Sequence, residues 1–237
     1  MYPNFCLEVG LSIQSTRMSC MKVASMYTYG NLFSVMNNKN HPKKGSFITV
    51  DPIRNMQAVR RIRALLKHKP RDRCLFVMGI NTGFRACELL SITCGQVSHL
   101  QAGDLFTIKQ SKTGKLRTVV LYGTVVKVVQ AWLREHPDPR PNAPLFLSRS
   151  GRALTVSTVC NMVKGWCAEV GLKGRYGSHT MRKTWGFMQL RHNHLSNPQA
   201  LLTLVMEALD HTDPKVTRRY LGVQFDEVAQ LYLAVQM

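Results

Sequence analysis

Five side chains in this sequence have the chemistry needed to cut a phosphodiester, and they occur in the order Arg85, His179, Arg182, His211 and Tyr220. Attack on phosphorus increases the negative charge on the phosphate oxygens. Two guanidinium groups can stabilise that charge, because each presents a planar fork of donors and stays protonated. We therefore predict that Arg85 and Arg182 clamp the phosphate. Tyr220 would attack as the nucleophile and form a covalent 3′-phosphotyrosine.

The remaining steps need groups that move protons and donate hydrogen bonds. The leaving 5′ oxygen must gain a proton, and Lys112, at a basic turn, is the candidate general acid. Lys115 in the same turn is the rival candidate. His179 can take the proton of the tyrosine and return it in the reverse step, and His211 can donate a hydrogen bond to a phosphate oxygen.

Each of these residues also has an ordinary structural explanation. A tyrosine on an amphipathic helix usually packs against the core, and a single histidine is more often structural than catalytic. Arg85 could pair with Glu88, three residues further along the chain. Lys112 could simply be a polar turn residue. The interpretation therefore depends on the ordered set of residues and not on any one of them.

The charge of the chain favours a polyanionic partner. The 237 residues include 32 Lys+Arg and 13 Asp+Glu, which gives a formal net charge of +19. Such an excess predicts attraction to nucleic acid, because cationic side chains release counterions from phosphates. A generally basic surface or a ribosome-associated protein is the alternative. Together with the ordered residues for phosphodiester cleavage, this charge leads us to expect double-stranded DNA as the partner.

The cysteine pattern and the hydropathy pattern limit where the protein works. The seven cysteines include no Cys-x-x-Cys pair, which argues against a disulfide framework and a zinc site. No apolar run reaches the length of a membrane-spanning helix, and the first residues lack the pattern of a secretory signal. We therefore expect a cytoplasmic protein with reduced thiols and no membrane contact.

The periodicity of apolar residues predicts a mostly α-helical domain with a small antiparallel β-sheet, an α+β fold. Asp51 and Pro52 are expected to begin the first helix, as N-cap and first helical residue. Two strands are predicted around the basic turn, at 104–109 and 117–121. The other predicted helices cover 73–81, 85–90, 124–135, 156–170, 180–193, 199–209, 214–221 and 226–235. Residues 1–46 lack clean periodicity and are expected to form an irregular arm.

Four stretches of the chain resemble the tyrosine recombinases, the phage-integrase family. Residues 82–89 resemble the first arginine box of that family, in which Thr-Gly precedes the arginine and Glu-Leu follows it. Residues 110–115 resemble the hairpin that carries the catalytic lysine, which maps best onto Lys112. His-x-x-Arg at 179–182 and Leu-Asp-His at 209–211, followed by Tyr220, match the remaining motifs. The resemblance covers the chain from about residue 50 to its end.

The resemblance implies an enzyme that cleaves and rejoins DNA at specific sites of a mobile element or resolution system. It implies no metal and no ATP, because the phosphotyrosyl bond conserves the energy of the broken strand. The sequence also has no Walker loop and no carboxylate cluster suited to Mg²⁺. Residues 47–237 would form the catalytic domain. Family members work as tetramers, so the apolar face of the tail at 226–237 is expected either to dock on a neighbouring protomer or to pack on its own domain.

Two features depart from the family pattern. Asp210 stands where the family usually has glycine, which puts an acid beside the phosphate site. Residues 1–46 look too short and irregular for the helical core-binding domain that family members carry before the catalytic domain. Two alternatives therefore stay open. One is a type IB topoisomerase-like enzyme, although such enzymes commonly have lysine at the place of His179. The other is a catalytically idle DNA-binding regulator or relic of the family.

Overall fold

Helices make up most of the part of the chain that the structure describes, and a two-stranded sheet interrupts them. The structure is a computed structural model that describes residues 49–110, 114–138, 140–193 and 197–223, all within one compact unit. The predicted arm at 1–46, Lys112 and the predicted tail helix lie outside the described residues. The described elements, in chain order, are α1 (Met56–Leu65), α2 (Pro70–Thr82), α3 (Ala86–Leu90), α4 (Cys94–Val97), β1 (Leu105–Lys109), β2 (Leu116–Val120), α5 (Gly123–Arg134), α6 (Val156–Glu169), α7 (Thr180–His192), α8 (Pro198–Ala208) and α9 (Pro214–Leu221).

The fold class agrees with the prediction, but the predicted start of the first helix is wrong. The helix begins at Met56, and Asn55 is its N-cap because its side chain accepts a hydrogen bond from the backbone N–H of Gln57. Asp51 instead joins a distant loop. Its backbone N–H donates to the carbonyl of Arg175, and its carboxylate accepts from the N–H of Arg175 at 2.9 Å. A long-range pairing thus replaces the local cap that the sequence indicated.

The sheet is a single antiparallel hairpin whose register pairs Phe106 with Val119 and Ile108 with Arg117. Phe106 and Ile108 point into the core, as the alternation along a half-buried strand requires. Arg117 takes the inward position of the second strand, and it is buried. A charged residue at a buried position requires a hydrogen-bond acceptor inside the protein.

Helix α2 lies at the centre of the main core. Residues 74–79 of this helix are all buried, so it is apolar on every side instead of amphipathic. It packs against α5 and α7, and its C-terminal end is followed directly by Gly83 and then by Arg85. No helix in the described ranges is long and apolar enough to cross a membrane.

The last three described helices pack around a second, smaller apolar cluster. Its buried members are Phe187, Leu201, Val205, Leu209, Leu221 and Val223. The cluster joins α7 to α8 and α9, and Tyr220 packs at its edge. The position of Tyr220 is therefore set by apolar packing of its own helix against α7.

Gly83 makes the turn that joins α2 to the arginine box. It has φ of +61°, the left-handed conformation that ends many helices and that glycine adopts at little cost. A Cβ on this residue would lie 2.7 Å from Cε3 of the Trp185 ring. The backbone therefore passes so close to an aromatic ring of α7 that only glycine fits.

We expect Gly83→Ala to lower the free energy of unfolding by about 2–4 kcal/mol, from the left-handed backbone and from the contact with Trp185. Gly171→Ala is the matched control, because Gly171 also has a positive φ, +74°, but no atom within 4 Å of a Cβ. It should cost only about 1 kcal/mol. Urea denaturation measures both values, and equal losses in the two variants would contradict the role of the ring contact.

Candidate active site

The functional side chains converge from three places in the fold. Arg85 lies at the N-cap of α3, directly after the Gly83 turn. His179 and Arg182 lie on the first turn of α7. His211 lies in the link between α8 and α9, and Tyr220 near the end of α9. The structure thus brings together five of the six predicted site residues, and the sixth, Lys112, lies outside the described residues.

Arg182 connects two of these places. Its side chain is 2% exposed. One terminal nitrogen donates to the carbonyl of Gly83 at 2.7 Å, and the other donates to the carbonyl of Leu209 at 2.7 Å. Burial and the neighbouring Arg85 lower the pKa of Arg182, while Tyr220 and Glu88 oppose that change. A guanidinium keeps its charge under such a shift, so Arg182 places a fixed cation in the site.

Glu88 supplies the negative charge that the buried arginines require. Its carboxylate accepts from Nη1 of Arg85 at 2.6 Å and from the backbone N–H of Arg85 at 2.6 Å. It also lies 3.7 Å from Nη1 of Arg117 and 3.9 Å from Nη1 of Arg182. The pairing of Arg85 with Glu88, considered from the sequence as an alternative to catalysis, therefore forms as part of the site itself.

Arg117 is a member of the site that sequence reasoning missed. It donates from Nη1 to the carbonyl of Gly83 and from Nη2 to the carbonyl of Thr82, both at 3.0 Å. Burial and then Arg182 lower the pKa of Arg117 to about 10, so it stays charged at neutral pH. The only signal for Arg117 in the sequence was its place at the start of the strand predicted at 117–121.

Tyr220 has a hydrogen-bond partner suited to accept its proton. Its hydroxyl lies 3.4 Å from Nδ1 of His179, and its ring packs edge-on against His211 with centroids 5.0 Å apart. Burial raises the pKa of Tyr220, and Arg182 and Arg85 act in the opposite direction. The phenol is therefore protonated at neutral pH, and ionisation requires both a proton acceptor and nearby positive charge.

Both histidines of the site are neutral at pH 7. Burial, followed by Arg182 and Arg85, lowers the pKa of His211 to about 4. Its Nδ1 also lies 3.0 Å from the hydroxyl of Thr217, which fixes the ring. His179 is open to solvent on one side, but partial desolvation and the same cations lower its pKa as well. A neutral His179 can accept a proton, because the lowered pKa leaves its ring unprotonated.

Asp210, the departure from the family pattern, points into the site. It has φ of +51°, a conformation in which glycine is favoured and aspartate is tolerated. Its carboxylate lies 3.8 Å from Nη2 of Arg85 and 3.3 Å from Nζ of Lys115. An anion of the protein thus pairs with two cations of the site.

Comparison with known proteins agrees with this geometry. The chain matches the model of the phage integrase family over residues 51–227. The chain belongs to the phage integrase family. The described part is a tyrosine recombinase catalytic domain, the class of domain that cleaves and rejoins DNA.

Relatives and solved structures of this family support the assignment. The probable integrase/recombinase YoeC of Bacillus subtilis is 27% identical over 185 residues, which are 77% of this chain and 95% of that protein. The tyrosine recombinase XerC of Yersinia pestis is 27% identical over 68% of this chain, and the chain spans about half, 51%, of that protein. The crystal structure of XerA recombinase superposes with a TM-score of 0.62 at 18% identity, covering 80% of this chain and 66% of the other.

We expect Asp210→Asn to bind duplex DNA about two- to fivefold more tightly, because the substitution removes a partly exposed ion pair that competes with phosphate. Asparagine keeps the preference for the left-handed backbone. Fluorescence anisotropy of a labelled duplex at low salt measures the affinity. Asp138→Asn is the control, since Asp138 pairs only locally with Arg140. Equal tightening in both variants would show a general effect of charge.

Proposed function

We propose that this member of the phage integrase family cleaves and rejoins double-stranded DNA at specific sites through a covalent 3′-phosphotyrosine on Tyr220. The observation that carries the proposal is the position of the Tyr220 hydroxyl, 3.4 Å from Nδ1 of a neutral His179 and beside the buried guanidinium of Arg182. A nucleophile, an acceptor for its proton and a fixed cation are thus adjacent.

In the proposed reaction, the hydroxyl oxygen of Tyr220 attacks phosphorus and its proton moves to His179. The bond between phosphorus and the 5′ oxygen breaks, and that oxygen takes a proton from Lys112. Arg85 and Arg182 hold the phosphate oxygens as their charge increases, and His211 donates a hydrogen bond to one of them. A 5′ hydroxyl from another strand then gives its proton to Lys112 and attacks the phosphotyrosine. The bond from phosphorus to Tyr220 breaks, and the phenol oxygen takes back its proton from His179.

The partners are proposed from the relatives and from the charge of the chain. Two solved relatives are described as XerH recombinase bound to its difH substrate and as a lambda integrase tetramer bound to a Holliday junction. We extend DNA binding and assembly as a tetramer to this chain. Its net charge of +19 supports the binding of DNA. We assign the catalytic domain to residues 47–237 and propose that the tail at 226–237 joins neighbouring protomers.

A library of nicked suicide duplexes, which trap the cut strand, tests the proposal. We expect a covalent protein–DNA adduct on a denaturing gel, with no adduct from Tyr220→Phe. Tyr122→Phe is the matched control, because Tyr122 is an exposed tyrosine whose side chain has no part in the proposed chemistry. It should form the adduct at the normal rate.

The outcomes separate the alternatives. An adduct that persists in Tyr220→Phe would place the nucleophile elsewhere. DNA binding without any adduct from the unmodified protein would support the idle DNA-binding regulator. Relaxation of supercoiled plasmid of any sequence, with no exchange of strands, would favour the topoisomerase-like enzyme.

A second experiment identifies the general acid. A substrate with sulfur at the 5′ bridging position needs no proton donor, because a thiolate leaves readily. We expect Lys112→Ala to lose at least about a hundredfold in cleavage of the oxygen substrate and to recover on the sulfur substrate. Lys115→Ala should lose less activity on the oxygen substrate, and the sulfur substrate should not restore its activity. The reverse pattern would assign the acid to Lys115, whose Nζ lies 3.3 Å from Asp210.

A further inference from the structure

Lys183 is a buried cation for which the proposed mechanism has no role. It follows Arg182 directly in α7, and it is only 5% exposed. Lysine is seldom buried without a partner, because desolvation of its ammonium is costly. Its Nζ lies over the face of the Tyr220 ring, 4.6 Å from the centroid. That distance is well within the range of a cation–π interaction.

The position of Lys183 on the helix explains why it reaches the tyrosine. His179, Arg182 and Lys183 are spaced i, i+3 and i+4 at the start of α7, so they share one face of its first turn. His179 approaches the hydroxyl of Tyr220, and Lys183 covers the ring. Burial raises the pKa of the phenol, and the positive charge of Arg182 opposes that rise. Three residues at the start of one helix therefore act on the proposed nucleophile in three different ways.

We infer that Lys183 is a positioning residue for Tyr220, holding the phenol ring in place and stabilising the negative charge that the ring gains as its hydroxyl attacks phosphorus. The inference rests on the proposed function of Tyr220. Lys183 exchanges no proton and forms no bond. The proton of Tyr220 still goes to His179, and the ammonium acts through its charge alone.

The physical basis is that a cation interacts with a phenolate more strongly than with a phenol. In the neutral ring, the attraction comes from the negative face of the aromatic system. As the proton leaves, the ring and its oxygen acquire a net negative charge, and the attraction to a desolvated ammonium increases. An interaction that is stronger in the transition state than in the ground state accelerates the reaction.

The segment before α1 is attached to α7 at the residue next to Lys183. The backbone N–H of Ile53 donates to the hydroxyl of Thr184 at 2.8 Å, which fixes the segment before α1 against α7. Burial lowers the pKa of Lys183, Asp51 on that segment raises it, and Arg54 lowers it. Among the described residues, the charged or titratable groups that contact Tyr220 or act on its pKa are His179, His211, Lys183, Arg182, Arg85 and Arg117.

Direct titration of the tyrosine tests the inference without any need for catalysis. A fluorinated tyrosine placed at position 220 of the full chain ionises at lower pH, and its ¹⁹F NMR shift reports its ionisation alone. We expect the pKa of this phenol to be about one unit higher in Lys183→Met, a tenfold change in its ionisation constant. Lys183→Arg keeps a cation over the ring, so the pKa of the phenol should stay close to that in the unmodified protein. Lys183→Gln provides a second neutral variant.

The cleavage reaction gives an independent readout. In single-turnover cleavage of a suicide duplex, the rate for the unmodified protein should rise with pH as Tyr220 loses its proton more readily. For Lys183→Met we expect a rate about tenfold lower at neutral pH, with the rising limb moved about one unit upwards and partial recovery at high pH. Lys164→Met, which removes an exposed lysine of α6, should leave the profile unchanged.

The results distinguish the inference from the proposed function. An unchanged pKa of the phenol in both neutral variants would overturn the inference, whether or not the protein cleaves DNA. A uniform loss of rate at every pH, without recovery in Lys183→Arg, would also overturn it and indicate a structural role only. A raised pKa in a protein that forms no adduct would support the contact with Lys183 and reject the proposed function.

Discussion

The bridge that Arg182 makes between two backbone carbonyls is the interaction on which the rest of this site depends. Its guanidinium joins the turn at Gly83, after α2, to the end of α8 at Leu209. The two carbonyls belong to segments far apart in the chain, and both precede site residues. Because a buried charge is costly without a counter-charge, the bridge also requires the buried carboxylate of Glu88. The guanidinium of Arg182 and the carboxylate of Glu88 thus serve three purposes. They join the two segments, supply hydrogen bonds to their buried carbonyls and set the charge of the proposed phosphate clamp.

Close packing of arginines has an electrostatic consequence for the nucleophile. Arg85, Arg117 and Arg182 share the single carboxylate of Glu88, so the site keeps an excess of positive charge. Burial lowers the pKa values of both histidines, and this excess lowers them further; it also opposes the rise that burial imposes on the pKa of Tyr220. Under the proposed function, the neutral histidines, the phenol and the fixed cations would all be in place before a phosphate binds. Such preorganisation stabilises charge as it develops, because no dipoles have to reorient during the reaction.

Asp210 partly offsets that excess. Its carboxylate pairs with Arg85 and with Lys115 of the β-hairpin, and the backbone at this position takes a conformation better suited to glycine. The pairing joins the hairpin side of the site to the segment that carries His211. Under the proposed function, a phosphate would compete with this carboxylate for the same cations.

The sequence by itself determined the family and the fold class and predicted six site residues, because ordered motifs and helical periodicity are local properties of the chain. It also placed most helix boundaries within a few residues. It misplaced the start of α1, because Asp51 pairs with Arg175, 124 positions away. It missed Arg117 and Lys183, because their contacts are with residues distant in the chain. Arg117 donates to the carbonyls of Thr82 and Gly83, and Lys183 lies over the ring of Tyr220. Only the tertiary structure brings these groups together, since contacts between distant segments depend on how the helices pack and not on local spacing.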